Sequence, residues 1–92
     1  MLVLGIDPGT ATTGYGLVRE HDDGRLEAVH YGVITTKPRV PMPDRLMELH
    51  RAITDLITTY QPDAAAIEVL FFGKNVTNGI TVAQGRGVIL LA

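Results

Sequence analysis

The sequence predicts an α/β protein built on a mixed sheet. Three short apolar runs separated by tight polar connections occupy the first third of the chain, a pattern typical of consecutive antiparallel strands. An amphipathic stretch with helical spacing follows and leads directly into a fourth apolar run. Because a strand that returns after a crossover helix commonly lies parallel to an earlier strand, we expect parallel and antiparallel pairs in one sheet.

Each of the first three strands is predicted from a different feature of the sequence. The first is an apolar run that begins at Leu2, reaches Asp7 and breaks at a Pro-Gly turn. The second, Thr13–Arg19, contains two glycines, which indicate close approach of another backbone or of a ligand. An Asp-Gly pair predicts a hairpin turn into the third strand, Leu26–Thr35, which we expect at the sheet edge. We expect one face of that strand to carry Val29, Tyr31, Val33 and Thr35.

One helix is predicted before the fourth strand in the sequence and another after it. The proline-rich residues 37–43 cannot pair in a sheet, because proline lacks an amide donor, so they form a connector. Apolar residues at helical spacing then predict a helix of about four turns, with Pro43 in its first turn and Pro62 just past its end. The strand from Ala64 follows, and residues 77–92 carry a second helical stripe. Small residues spaced by four along that stripe favour close packing against the sheet or against a second subunit: Gly79, Ala83 and Gly87.

Composition limits the class of protein. We expect residues 1–92 to form a single, partial domain, since 46% hydrophobic and 20% charged residues are typical of globular proteins. The absence of cysteine excludes disulfides and thiolate metal sites. Neither a signal peptide nor the ~20 apolar residues of a membrane span is found, so we expect a cytoplasmic protein without membrane contact. The net charge of −2 argues mildly against a nucleic-acid partner. The apolar end of the chain leads us to expect a longer protein beyond Ala92.

The most informative residues are two acids at strand ends, Asp7 and Glu68. Each is the only charge in its apolar run. If the strand from Ala64 lies parallel to the first strand and beside it, both carboxylates reach the same end of the sheet, on strands about 4.8 Å apart. Close carboxylates repel each other and favour a shared proton or a bound cation, and Mg²⁺ prefers such oxygen ligands. Paired metal ions can cleave phosphodiesters, although two acids are too few to hold such a pair securely.

Both acids also have purely structural interpretations. Asp7 can cap the Pro-Gly turn, because aspartate commonly bonds the backbone two residues on. Glu68 can be a solvated strand-end carboxylate. The loop that follows adds two aromatic residues and a cation, so an exposed ring can stack on an unpaired base and Lys74 can meet a phosphate. For one of the two rings, Phe71 or Phe72, a place in the core is the alternative.

Four groups of residues, in order along almost the whole chain, form a recognisable pattern: Gly5-Ile6-Asp7-Pro8-Gly9 with Thr13-Gly14-Tyr15-Gly16, Gln61-Pro62-Asp63 with Ala66-Ile67-Glu68, Phe71 with Lys74-Asn75, and Gln84-x-Arg86-Gly87. They resemble the N-terminal half of the RuvC Holliday-junction resolvase family. The resemblance implies a ribonuclease-H-like fold, a five-stranded mixed sheet flanked by helices, truncated here before its final strand and helix. It also implies a homodimeric, Mg²⁺-dependent endonuclease that nicks opposed strands of four-way DNA junctions in recombination and repair.

The resemblance assigns catalytic roles by position. Asp7 and Glu68 match the first two acids of the family's catalytic tetrad, which implies that they are ligands in a site for two Mg²⁺ ions. The other two acids of the family lie on a later helix. We therefore expect the isolated 92-residue chain to be inactive.

The resemblance also implies binding surfaces. Phe71 matches the aromatic residue that stacks on a base at the opened junction, and Lys74 and Asn75 lie in the same DNA-facing loop. The last helix matches the family's dimer interface, which favours the intersubunit role for its small residues. The implied partners are four-way junction DNA, a second subunit and the RuvA–RuvB branch-migration machinery.

Other functions stay open at this point. Asp7-Pro8-Gly9-Thr10 also fits the phosphate loop of sugar kinases and of actin-like or Hsp70-like ATPases, although their pattern does not account for Glu68 followed by Phe71. Related RuvC-like nucleases of the YqgF type act on RNA precursors. A non-enzymatic role through dimerisation alone is compatible with the absence of half of the acids.

Overall fold

The computed structural model has two layers, a mixed sheet and two helices that share one hydrophobic core with it. The structure describes residues 1–9, 11–68 and 76–92, with side chains of the last range from residue 83 onward. Its elements are β1 (Leu2–Asp7), β2 (Thr12–Glu20), β3 (Leu26–Thr35), α1 (Met42–Tyr60), β4 (Ala64–Ile67) and α2 (Val76–Leu91). Across these ranges the strand order is β3-β2-β1-β4, with β1 antiparallel to β2 and parallel to β4. The predicted mixed sheet and the edge position of β3 are confirmed.

The central strand β1 divides its side chains between the two faces of the sheet. Leu2, Leu4 and Ile6 are buried against the helices, whereas Asp7 alternates to the opposite face and is exposed. Burying each of these side chains stabilises the packing of the helices on this face by about 1.5–3 kcal/mol. The buried core is completed by Leu17, Leu49, Ile53 and Ile89.

The β2–β3 hairpin turns as its Asp-Gly pair predicts. Gly24 has a φ of +84°, a conformation that glycine adopts without the steric cost of a side chain. Its N–H donates to the carbonyl of His21 at 2.9 Å and closes the turn. The local sequence therefore accounts for the position and the conformation of this turn.

The predicted face of β3 is wrong at Val29. The register between β2 and β3 shifts between Leu17 and Val18, which leaves Val29 as an extra residue on β3. Such a bulge reverses the alternation of side chains beyond it. Val29 consequently packs against the core, whereas Tyr31 and Val33 are 77% and 64% exposed.

The first helix is longer than predicted. Its 19 residues make about five turns rather than four, because the helix starts at Met42, before its apolar stripe begins. It ends at Tyr60, and its C-cap Gln61 adopts the left-handed conformation with φ 49° and donates its N–H to the carbonyl of Ile57 at 2.8 Å. Pro62 follows, as predicted. No described helix has both the length and the apolar character needed to cross a bilayer.

Asp63 ties β4 to the start of β1. The N–H of Leu2 donates to Oδ2 of Asp63 at 2.7 Å, and the N–H of Asp63 donates to the carbonyl of Leu2 at 2.8 Å. From this anchor the parallel pairing runs to Ile6 opposite Ile67. Since β4 has only four residues, two bonds at its start contribute much of what holds its register.

We expect Asp63→Ala to lower the free energy of unfolding by about 1.5 kcal/mol, because a partly buried N–H loses its bond to a charged acceptor. Urea denaturation measures this loss. Asp55→Ala, at an exposed position on α1, is the matched control and should change stability by less than about 0.5 kcal/mol. Equal effects of the two substitutions would contradict the anchoring role of Asp63.

Candidate active site

The parallel pairing of β1 and β4 brings the two predicted acids together. Ile6 and Ile67 are the last paired residues, and the N–H of Glu68 donates to the carbonyl of Ile6 at 3.0 Å. Asp7 and Glu68 therefore follow directly at neighbouring strand ends, and both side chains are exposed. The predicted convergence of the acids is confirmed.

The carboxyl group of Asp7 alters the ionisation of Glu68. The pKa of Glu68 lies above its ordinary value, first because its carboxyl group hydrogen-bonds to that of Asp7 and second because the two like charges repel. Desolvation contributes a smaller part of the rise. A proton held between the carboxyl groups relieves the repulsion, and a bound cation can do the same. Glu68 is thus exposed, as its structural interpretation requires, but it is not isolated.

The acids lie in an open groove of about 440 Å³ whose floor is made of small residues. Gly5 of β1 faces Gly16 on one side and Ala66 on the other, and Gly14 faces Asp7. A Cβ atom added to Gly14 would lie 3.8 Å from the Cβ of Asp7, an ordinary contact. The described part of the sheet would therefore accept a side chain at this position. Glycine instead leaves the floor open for a group that approaches the backbone beside the acids.

The turn after Asp7 is closed tightly. A Cβ atom on Gly9 would overlap the carbonyl oxygen of Thr12, so this position requires glycine. The chain enters β2 at Thr12, five residues after Asp7, and Gly14 then pairs with Asp7 itself. The Pro-Gly turn therefore fixes the direction in which the backbone leaves the acid.

The donor set near the groove suits a hard cation. Within the described ranges there is no group of three or more histidine, cysteine, aspartate or glutamate side chains that could hold a metal ion. The pair of carboxylates provides oxygen ligands, and Mg²⁺ typically binds through one or two carboxylates, several waters and substrate phosphates. Asp7 and Glu68 therefore fit Mg²⁺ better than they fit a metal that needs a complete protein cage.

Three predicted DNA-binding residues, Phe71, Lys74 and Asn75, lie outside the described residues. The histidines do not join the acids. His30 hydrogen-bonds to the hydroxyl of Tyr15 at 2.9 Å and stacks on Tyr60 with ring centroids 5.5 Å apart. The sequence pattern did not reveal this contact, because its three residues come from β2, β3 and α1 and share no local motif.

The small residues of α2 differ in how deeply they are buried within the chain. Ala83 is half-buried, and a Cβ atom on Gly87 would meet no described atom within 4 Å. Among the glycines of α2 from residue 83 onward, Gly85, which the spacing did not single out, faces α1. A Cβ there would lie 3.4 Å from Cδ2 of Leu49. Gly87 remains on the surface, and Gly79 lies in the first half of the helix.

Comparison with known proteins matches the whole chain to one family. The family model described as crossover junction endodeoxyribonuclease RuvC matches residues 3–92. Curated relatives with that name from Syntrophomonas wolfei and Chloroflexus aggregans are each 53% identical to the chain. The alignments cover 99% and 100% of this chain but 52% and 56% of the relatives. The chain thus spans about half the length of the curated relatives it matches.

The fold agrees with the sequence match. A structure of Thermus thermophilus RuvC in complex with a Holliday junction substrate aligns with a TM-score of 0.91 at 27% identity. The alignment covers 99% of this chain and 58% of that one. The predicted ribonuclease-H-like α/β fold is confirmed. With a family model matched over residues 3–92 and a fold shared with a solved member, the chain belongs to the RuvC family of crossover junction endodeoxyribonucleases.

Proposed function

We propose that the whole protein is an endonuclease that nicks opposed strands of four-way DNA junctions in recombination and repair. The observation that carries this proposal is the convergence of Asp7 and Glu68 at two paired parallel strand ends, in a groove open to a large ligand. The Thermus thermophilus relative with the same fold was solved with a Holliday junction substrate, which supports the choice of DNA.

Asp7 and Glu68 serve in this proposal as ligands of Mg²⁺. When bound, the metal supplies activation of a water and stabilisation of the leaving oxygen in phosphodiester hydrolysis. The two carboxylates hold the charge of the ion at the strand ends, and the raised pKa of Glu68 means that binding competes with a proton. Two carboxylates hold a single hydrated ion more readily than they hold a pair of ions. A complete site with two ions therefore draws further acids from the rest of the protein, and residues 1–92 alone are inactive.

The floor of the groove and the loop after Glu68 form the DNA-binding side of the site. Glycines beside Asp7 let a phosphodiester approach the sheet without meeting a side chain. Phe71 stacks on an unpaired base, and Lys74 and Asn75 contact the strand near it, as the resemblance implies.

Dimerisation places two such sites on one junction, so that opposed strands are nicked as a pair. The surface of α2 supports this role, because Gly87 is exposed and Leu90 and Leu91 expose 58% and 78% of their surfaces. Gly79, Ala83 and Gly87 form the close contact in this proposal. The RuvA–RuvB branch-migration machinery is the further partner.

The direct test incubates the whole protein and residues 1–92 with a labelled four-way junction and a linear duplex, with and without Mg²⁺. Paired symmetric nicks in the junction by the whole protein alone support the proposal. Cleavage of single-stranded RNA instead would favour a YqgF-type nuclease. ATP binding without DNA binding would favour an actin-like or Hsp70-like ATPase.

Asp7→Asn in the whole protein should reduce cleavage by more than about a hundredfold, the upper range for residues that merely support a metal ligand. Junction affinity should stay within about twofold, because the substitution preserves shape and alters no phosphate contact. Cleavage and gel-shift assays measure the two effects separately. Asp55→Asn on the exposed surface of α1 is the control. Retained cleavage would defeat the assignment of Asp7 as a ligand.

Gly14→Ala should leave the fold intact, because its methyl group meets only an ordinary contact 3.8 Å from the Cβ of Asp7. The methyl group would nevertheless fill space that a metal and a phosphate need, so cleavage should fall about tenfold to a hundredfold. Gly16→Ala, on the same face but farther along β2, should retain more activity. Thermal denaturation and cleavage rates test both variants. Full activity of Gly14→Ala would show that the floor need not be open.

Glu68→Gln should stabilise the metal-free protein near neutral pH. The folded state raises the pKa of Glu68, so the charge pair costs stability above the raised pKa and costs none below the ordinary pKa of 4.5. We therefore expect a higher Tm than wild type at about pH 7 and no gain at about pH 3. Mg²⁺ should remove the difference by stabilising the wild type more.

Thermal denaturation across pH, with and without Mg²⁺, measures this effect. Glu48→Gln, an exposed substitution on α1, is the control for loss of one negative charge. A Tm of Glu68→Gln at or below that of the wild type at neutral pH would contradict the repulsion between Glu68 and Asp7.

A further inference from the structure

Arg45 is a buried cation outside the groove. It lies in the first turn of α1 and exposes only 9% of its surface. Removing a guanidinium from water costs several kcal/mol unless hydrogen bonds compensate. Its Nε donates to Oγ1 of Thr36 at 3.0 Å, and the bond is buried. A cation held in this way has a specific structural partner rather than a role in solubility.

Thr36 connects Arg45 to the turn that follows Asp7. It is itself buried, directly after the end of β3, and its N–H donates to the carbonyl of Ala11 at 3.1 Å. Ala11 lies between Asp7 and the start of β2. A chain of two hydrogen bonds thus runs from the helix through Thr36 to the turn.

The space between these groups is nearly filled. Gly9, Ala11, Thr13, Thr36 and Arg45 all line one small cavity of about 20 Å³. That volume holds about one water molecule and excludes a larger ligand. Arg45 therefore lines the same small space as Gly9 and Ala11, so its displacement would be transmitted to their backbone rather than absorbed by a large void.

The turn has little freedom to relax independently. Gly9 packs against the carbonyl of Thr12, and the chain rejoins the sheet opposite Asp7 at Gly14. A shift of Ala11 must be accommodated over these few residues. Asp7 lies at one end of this stretch, and Gly14, with which it pairs, lies at the other.

We propose that Arg45 is a positioning residue for Asp7, which it serves by holding Gly9 and Ala11 in place through Thr36. The proposal deepens the proposed function and rests on it for its effect on cleavage. The guanidinium does not touch the substrate or the metal. Its role is to keep the Asp7 carboxylate beside that of Glu68 when both bind the cation.

Arg45→Met in the whole protein tests this role, because methionine keeps an unbranched apolar stem and removes the charge and its donors. At a temperature where the variant is fully folded, half-maximal cleavage should need about tenfold more Mg²⁺, with junction affinity unchanged. Arg45→Lys should recover part of the loss, since it restores the charge without the guanidinium fork. Arg51→Met, an exposed arginine of the same helix, is the control and should behave as wild type.

Thr36→Val keeps the shape and the backbone N–H of Thr36 while removing the acceptor, so it tests the same connection if Arg45→Met folds poorly. It should raise the Mg²⁺ requirement in the same direction, because Arg45 loses the acceptor for its Nε. A variant that loses thermal stability alone, with an unchanged Mg²⁺ requirement, would overturn the proposal and leave Arg45 as a merely structural residue.

Amide hydrogen exchange provides a readout that needs neither metal nor DNA. In Arg45→Met, the Thr36 amide should exchange faster as its bond to Ala11 loosens, whereas the Glu68 amide bonded to Ile6 should keep its protection. Unchanged exchange at Thr36 would overturn the proposal. If the wild type fails to cleave junctions, the proposed function falls, and the exchange result alone then decides whether Arg45 holds the turn.

Discussion

The parallel pairing of β4 with β1 is the constraint on which the candidate site depends. Asp63 anchors its start by exchanging bonds with Leu2, and the Glu68 amide bonds to Ile6 at its end. Between these points only four residues pair, so a slip by one residue would turn Glu68 to the other face of the sheet. The two carboxylates therefore lie side by side because hydrogen bonds at both ends of the short strand β4 hold it in one register with β1.

That pairing places two like charges side by side, which is unfavourable in the absence of a counterion. The raised pKa of Glu68 records the cost, and the exposed position of both acids keeps it small enough for the fold to tolerate. Solvent access also lets a hydrated cation reach the pair. Repulsion between the two carboxylates lowers the stability of the fold and favours the binding of a cation beside them. The proposed metal-assisted phosphodiester hydrolysis requires such a site.

The two faces of the sheet have different roles in this arrangement. The face toward α1 and α2 carries the buried core and, at its margin, the contact of Arg45 with Thr36. The opposite face carries the acids with glycines and an alanine beside them, and farther out on β3 it carries the exposed Tyr31 and Val33. Apolar packing on one face supports the backbone, and small residues on the other leave that backbone accessible. The site is precise because its rigid support and its open surface lie on opposite sides of the same strands.

Local sequence was sufficient to predict the elements, their order and the two acids, because apolar periodicity, proline positions and the Asp-Gly turn act over a few neighbouring residues. The bulge at Val29, the anchor at Asp63 and the burial of Arg45 are seen only in the folded chain. Each of these depends on a partner outside its own element. A pattern read along one segment contains no information about which distant backbone group or side chain will meet it, so these contacts become visible only once the chain is folded.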